Sequence, residues 1–143
     1  MKIKRNKTDA AFSLAIREAH NFTCQCCGKV SDERNSNGYT DCAHNFSRTN
    51  KLIRWNVHNA TCLCRTCHMR MTSDPDEHVT FFKRLKGEEY YNMRDLRNSL
   101  QKVTKKDEDA ILLHYKKEIE KMRHARKDDY RIIYKLENPK EIL

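Results

Sequence analysis

Two cysteine pairs, Cys24-x2-Cys27 and Cys64-x2-Cys67, carry the clearest chemistry in the chain. Two such pairs supply the four thiolates of a tetrahedral structural Zn2+ site. Gly28 follows the second cysteine, where a metal-binding turn needs a positive φ. Four thiolates saturate zinc, so that ion cannot also activate water, and any catalysis requires another site. Cys26, Cys42 and Cys62 are left over. They read as small buried residues, with Cys26 or Cys62 open to an alternative pairing at the metal.

Residues for a second site lie between and just after the pairs: Asp41, His44, Asn59, and His68 directly behind Cys67. Taken singly, each has a plainer role. His44 can be a satisfied polar residue, His68 can hydrogen-bond a zinc-bound sulfur, and Asn59 can form a turn. His58 is a further unassigned imidazole, whereas His20, His78, His114 and His124 read as surface residues on helices.

The order of these residues narrows the choice. A strand-borne histidine, an asparagine five residues before the third zinc cysteine and a histidine directly after the fourth resemble the motif of zinc-containing HNH nucleases (ββα-metal, His-Me finger), the group of phage endonuclease VII. More narrowly, CxxCG, DCAHNFSRTN, IRWNVHNATCLCRTC and the stretch from FFKRLKGEE to YKKEIEKM are similar to the NinG (Rap) family of phage recombination proteins, over about residues 20–125.

That resemblance implies roles. His44 becomes the general base that deprotonates the attacking water, a task suited to an imidazole that is largely neutral at cellular pH. His68 becomes a ligand of a catalytic Mg2+ or Mn2+, and Asn59 holds the loop and orients His44. Many HNH proteins carry Asp or His directly before the base, whereas this chain has Ala43 there and its carboxylate at Asp41. Strand alternation puts residues 41 and 43 on one face, so Asp41 can supply the missing oxygen ligand if the strand bends or bulges, and NinG-like sequences share this Asp-x-x-His spacing. Ser47, Arg48, Lys51 and Arg54 follow His44 closely enough to contact a DNA backbone. Trp55 is expected as a plug against the zinc knuckle, with stacking on an exposed base as the alternative. The implied activity is metal-dependent cleavage of branched recombination DNA (Holliday junctions, D-loops), leaving 3'-hydroxyl and 5'-phosphate ends. Two symmetric cuts make a homodimer attractive. An inactive zinc DNA-binding module and an HNH nuclease of ordinary duplex DNA are the alternatives.

Composition bounds these readings. At 143 residues, with 38% apolar and 34% charged, the chain has room for one small core and an appendage, and such a core needs an extra constraint. The formal net charge of +9 sits mainly in residues 1–74, with the cysteines, and suits a polyanionic partner. MKIKRNK leads into a polar helix without an apolar signal segment, which points to the cytoplasm (of the host, if phage-encoded), reduced thiols and metal rather than disulfides. The odd count of seven cysteines agrees. No stretch has the length of a membrane span.

The elements that must position these residues follow from pattern. Thr8-Asp9 starts a helix over 8–20. Residues 31–38 are turn formers, 39–46 and 61–63 form strands, and 47–60 form a polar basic loop. CRTCHMRMT fits a short helix from Cys64 that ends before Pro75. Helices follow over 76–86 (Val79, Phe81, Phe82 and Leu85 inward), 88–100 after the break at Gly87, and about 106–126. The last has a stripe of Ile111, Leu112, Tyr115, Ile119 and Met122, suited to the core or a second subunit. The fold class is α+β: a zinc-stapled ββα-metal, treble-clef-like HNH core with an N-terminal helix in residues 1–74, and a helical extension in 75–143 whose last dozen or so residues are poorly ordered.

Overall fold

Asparagine at a helix start and aspartate three residues on satisfy two free backbone N–H groups at once. Asn6 and Asp9 do this: Asn6 Oδ1 accepts from Asp9 N and Asp9 Oδ2 accepts from Asn6 N, both at 2.9 Å. Helix α1 (Lys7–Ala19) therefore begins at Asn6, and Thr8 lies inside its first turn. The computed structural model describes residues 3–31, 40–129 and 133–140. The turn-forming segment 32–38 and Tyr39, read as loop and strand start, lie outside them.

Strands β1 (Thr40–His44) and β2 (Ala60–Cys64) pair antiparallel. Their register is unbroken from Thr40↔Cys64 to His44↔Ala60, so β1 has none of the bulge considered for Asp41. The connection is not the open polar loop expected. Helix α2 (Lys51–Arg54) and a 3-10 turn (Val57–Asn59) each start on an asparagine cap, Asn50 Oδ1 accepting from Leu52 N and Asn56 Oδ1 from His58 N, both at 2.9 Å. Leu52, Ile53 and Trp55 are buried within it. Charged neighbours mask this apolar content in the sequence.

Helix α3 (Arg65–Ser73) leaves β2 directly and stops at Asp74, before Pro75. Asp74 then caps α4 (Pro75–Lys86) by accepting from Glu77 N at 3.2 Å. Gly87, at φ 58, turns the chain into α5 (Glu88–Arg97). A Thr104–Asp107 capping box opens α6 (Lys105–Ala125). Among the described residues the architecture is thus α+β, six helices around a two-stranded sheet.

Two buried clusters result. In the first, Phe12, Ala15 and Ile16 of α1 pack with Trp55 and with Ile111, Tyr115, Ile119 and Met122 of α6. The α6 stripe is therefore covered within one chain, and Trp55 belongs here rather than against the cysteines. Arg54 lies beside it, buried, its Nε donating to Asp9 Oδ1 at 2.9 Å while Trp55 Nε1 donates to the same oxygen at 3.0 Å. The second cluster joins Cys24, Cys64 and Cys67 to Ala43, Leu63, Met71, Phe81, Phe82 and Tyr90. Positions 78, 81, 82 and 85 make the inward stripe of α4, and Val79 stands off it, exposed, contrary to expectation. His78 points inward instead: its ring is 4.8 Å from that of Phe82, and its Nε2 lies 3.1 Å from the Asn45 carbonyl.

Residues 133–140 also differ from the poorly ordered end expected. Tyr134 and Leu136 pack on the first cluster, and Asn138 Oδ1 accepts from Val57 N at 2.8 Å. Residues 141–143 lie outside the described part.

Candidate metal centre and basic cleft

The Sγ atoms of Cys24, Cys27, Cys64 and Cys67 all lie within 4.8 Å of one another. Zn–S bonds of about 2.3 Å place tetrahedral sulfurs roughly 3.8 Å apart, and Cys27 Sγ and Cys64 Sγ are 3.8 Å apart. Backbone amides turn toward the sulfurs, Cys27 N at 3.5 Å from Cys24 Sγ and Cys67 N at 3.4 Å from Cys64 Sγ. Burial opposes ionisation of Cys24, yet hydrogen bonds from the Cys27, Cys64 and Cys26 amides push its thiol down to about 7. Burial and neighbouring sulfurs raise Cys64 and Cys67. Four crowded thiols of this kind ionise together only around a cation, and the set fits a structural zinc ion. Cys42 and Cys62 face each other across the strands, both pushed up to about 12 by burial, which suits inert thiols.

Beside this centre opens a cleft of about 980 Å³, lined among others by Asp41, His44, Ser47, Arg48 and His68 and by Arg5, Arg17 and Arg65. The cleft gathers Asp41, His44 and His68 although strand alternation alone would set Asp41 and His44 on opposite faces. His68, from the first turn of α3, places Nδ1 3.0 Å from Asp41 Oδ2. A carboxylate is an acceptor, so Nδ1 carries a hydrogen and Nε2 is the nitrogen left for a further partner. Arg65 closes a fork on the same carboxylate, Nε to Oδ2 at 2.9 Å and Nη2 to Oδ1 at 3.0 Å. Burial of Asp41 works against its charge, but Arg65 and His68 prevail and hold its carboxyl below the usual range.

His44 Nε2 lies 3.0 Å from the Arg54 carbonyl. A carbonyl only accepts, so Nε2 bears the hydrogen and Nδ1 is the free acceptor. Burial, aided by the charges of Arg48 and Arg54 and only partly offset by that hydrogen bond, pushes the imidazole down to about 4. His44 is thus neutral at pH 7, at some expense in basicity.

Asn59 is fully buried, with no bond to the His44 ring. Its Oδ1 accepts from Phe46 N at 2.9 Å, and its Nδ2 donates to the carbonyls of Phe46 (3.1 Å) and Ile53 (3.3 Å). It therefore pins the chain leaving β1 and acts on His44 only through the backbone. Of the basic residues expected on DNA, Arg48 lines the cleft, but two do not. Lys51 Nζ pairs with Glu108 at 3.3 Å, in a separate groove beside α6. The Arg54 guanidinium is spent on Asp9, and only its carbonyl reaches the cleft residues. His58 lies outside the cleft, 3.8 Å from Glu89.

The sequence reading missed three arginines. Arg65 had a signal, because it follows a zinc cysteine and so heads the helix that carries His68; Arg5 and Arg17 had none. His20 is no plain surface residue either, since burial pushes it down to about 4. Among the described residues no helix is long and apolar enough to cross a membrane. Compared with protein-family models, with curated proteins and with solved structures, the chain finds no match.

Proposed function

We propose that the chain is a divalent-metal-dependent DNA endonuclease of the HNH (ββα-metal) type, acting on branched recombination intermediates of the kind its NinG-like motifs imply. The observation that carries this reading is an arginine-lined cleft holding His44 and the Asp41–His68 pair beside a four-cysteine centre. Carboxylate oxygen and imidazole nitrogen are donors that Mg2+ and Mn2+ accept; Asp41 and His68 would hold one ion once the Nδ1–Oδ2 hydrogen bond between them opens, with water and phosphate oxygens completing the shell. When bound, such a cation neutralises charge on the pentacovalent phosphate and on the departing 3' oxygen.

The protein's own residues do the rest. His44 Nδ1 takes a proton from water; the hydroxide attacks phosphorus, the P–O3' bond breaks, and the 3' oxygen is protonated by solvent. Arg48, Arg5 and Ser47 line the path of the strand and fix it without reading sequence. A zinc ion held by Cys24, Cys27, Cys64 and Cys67 would fix the start of α3 and with it His68. A junction requires two cuts, hence two copies of the chain, and with the α6 stripe covered their contact falls on another face.

A second reading, a zinc-stabilised DNA-binding module without catalysis, is favoured by one observation: both Asp41 oxygens are already hydrogen-bonded. One experiment separates the readings. End-labelled four-way junction, linear duplex and single strand are incubated with the protein and with His44→Ala, with and without Mg2+ or Mn2+. Metal-dependent cutting of the junction that His44→Ala loses is the expected result. Binding without cutting under every metal sinks the nuclease, and equal rates on duplex and junction point to an ordinary duplex-cutting HNH enzyme.

A further inference from the structure

Of the paired arginines near the cleft, only Arg65 is free to change partner. Arg54 is sealed in the core with Asp9, its side chain 7% exposed. Arg17 is buried on α1, with its Nε on Ser13. Arg65 is 62% exposed, and among the described residues Asp41 is its one hydrogen-bond partner. The guanidinium end is open to water, but Asp41 is only 19% exposed and the bond is a two-point fork, so Arg65 leaves it only for a partner that offers two matching oxygens.

The fork also matters. Two parallel N–H donors matched to two carboxylate oxygens are equally matched to two non-bridging phosphate oxygens. A divalent cation on Asp41 competes with the guanidinium for the same carboxylate charge, and the two positive groups repel across it, so each weakens the other's hold. Arg65 starts α3 directly after the zinc cysteine Cys64, so its backbone stays fixed while its side chain swings within the cleft that His44 and Arg48 line.

We propose that Arg65 is a substrate-binding residue parked on Asp41: when a divalent cation takes the carboxylate, the guanidinium transfers to the phosphodiester. Cation and DNA then support each other without touching the same protein atom. The cation releases the clamp, and the phosphate gives the clamp a new partner. The inference rests on the reading of Asp41 as a cation ligand given above.

It predicts effects of opposite sign from one substitution. Removing Arg65 frees Asp41, so the zinc-loaded, DNA-free Arg65→Ala protein should bind Mn2+ about fivefold tighter than wild type, as measured by electron paramagnetic resonance of free Mn2+. The same variant should bind a labelled four-way junction in Ca2+ about tenfold more weakly by fluorescence anisotropy, with a salt slope shallower by about one. Arg65→Lys keeps the charge but loses the fork, and should fall between the two in both measurements. Asp41→Ala should lose the Mn2+ site. Zinc content and circular dichroism establish that each variant is folded. Unchanged or weaker Mn2+ binding in Arg65→Ala, with the site lost in Asp41→Ala, overturns the parking of Arg65 and leaves the cation site standing. Unchanged Mn2+ binding in Asp41→Ala overturns the cation site and the proposal together.

Discussion

The two buried clusters hold together by different physics. Around α1 and α6, large rings and aliphatic side chains (Phe12, Trp55, Tyr115, Ile111, Met122) interlock, and a sealed Asp9–Arg54–Trp55 network fixes their register. Around β2, α3 and α4 the apolar content is thinner, and three of its members are cysteines of the tetrathiolate set. The first cluster closes by removing surface from water; the second contains a cysteine set that could hold a zinc ion. The cleft runs along the seam, with His44 against Phe12 (rings 5.9 Å apart) on one side and Asp41–His68 on the other. His44, held against the aromatic cluster, therefore faces a wall built on the helix that follows the cysteine set.

Stripping zinc is the hardest test of this contrast. Structural zinc contributes roughly 10–16 kcal/mol in small zinc domains, so chelation should remove hydrogen-exchange protection from residues 60–73 while α1 and α6 keep much of theirs. Equal loss on both sides would make the two clusters one cooperative unit. Next in size is Asp9→Ala, which leaves the Arg54 charge buried and alone. It should lower stability in urea by about 3–5 kcal/mol, and replacing both partners by apolar residues should recover most of that.

Acid probes the seam. His44 titrates near 4 in the folded chain against 6.5 for a free imidazole, so between those values the unfolded state binds the extra proton. Stability should fall as pH drops from 6.5 to 4, by up to about 3 kcal/mol from this residue, and level off below. His44→Asn should flatten that slope; an unaltered slope would place the acid sensitivity elsewhere, with His20 the first suspect. Smallest is Tyr115→Phe, which removes a hydroxyl donated to the Trp55 carbonyl and should cost about 1 kcal/mol in the same titration.

Local signals in the sequence were readable where one residue type has one physical use. Paired cysteines, the positive φ of Gly28, the break at Gly87 and the stop before Pro75 fall where spacing and turn chemistry put them. Asp41 and His68 meet, but nothing in the sequence says that a hydrogen bond joins them or that Arg65 adds a third partner. The misses share a cause. Arg54, Trp55 and His78 are amphipathic, and whether the charged end or the ring decides their place depends on neighbours distant in sequence: Asp9, α6 and Asn45. Periodicity also misjudged 47–60, because Leu52 and Ile53 are hidden among polar residues whose task is to cap two very short helical turns.

Arg54 ties these matters together. Its guanidinium completes the ion pair that seats α1, and its carbonyl, a few bonds away, dictates which nitrogen of His44 owns the hydrogen. The address of a proton in the cleft is thereby written in the hydrophobic interior. A substitution that loosens α1 would be felt in the cleft as a change of tautomer, in a ring that had scarcely moved.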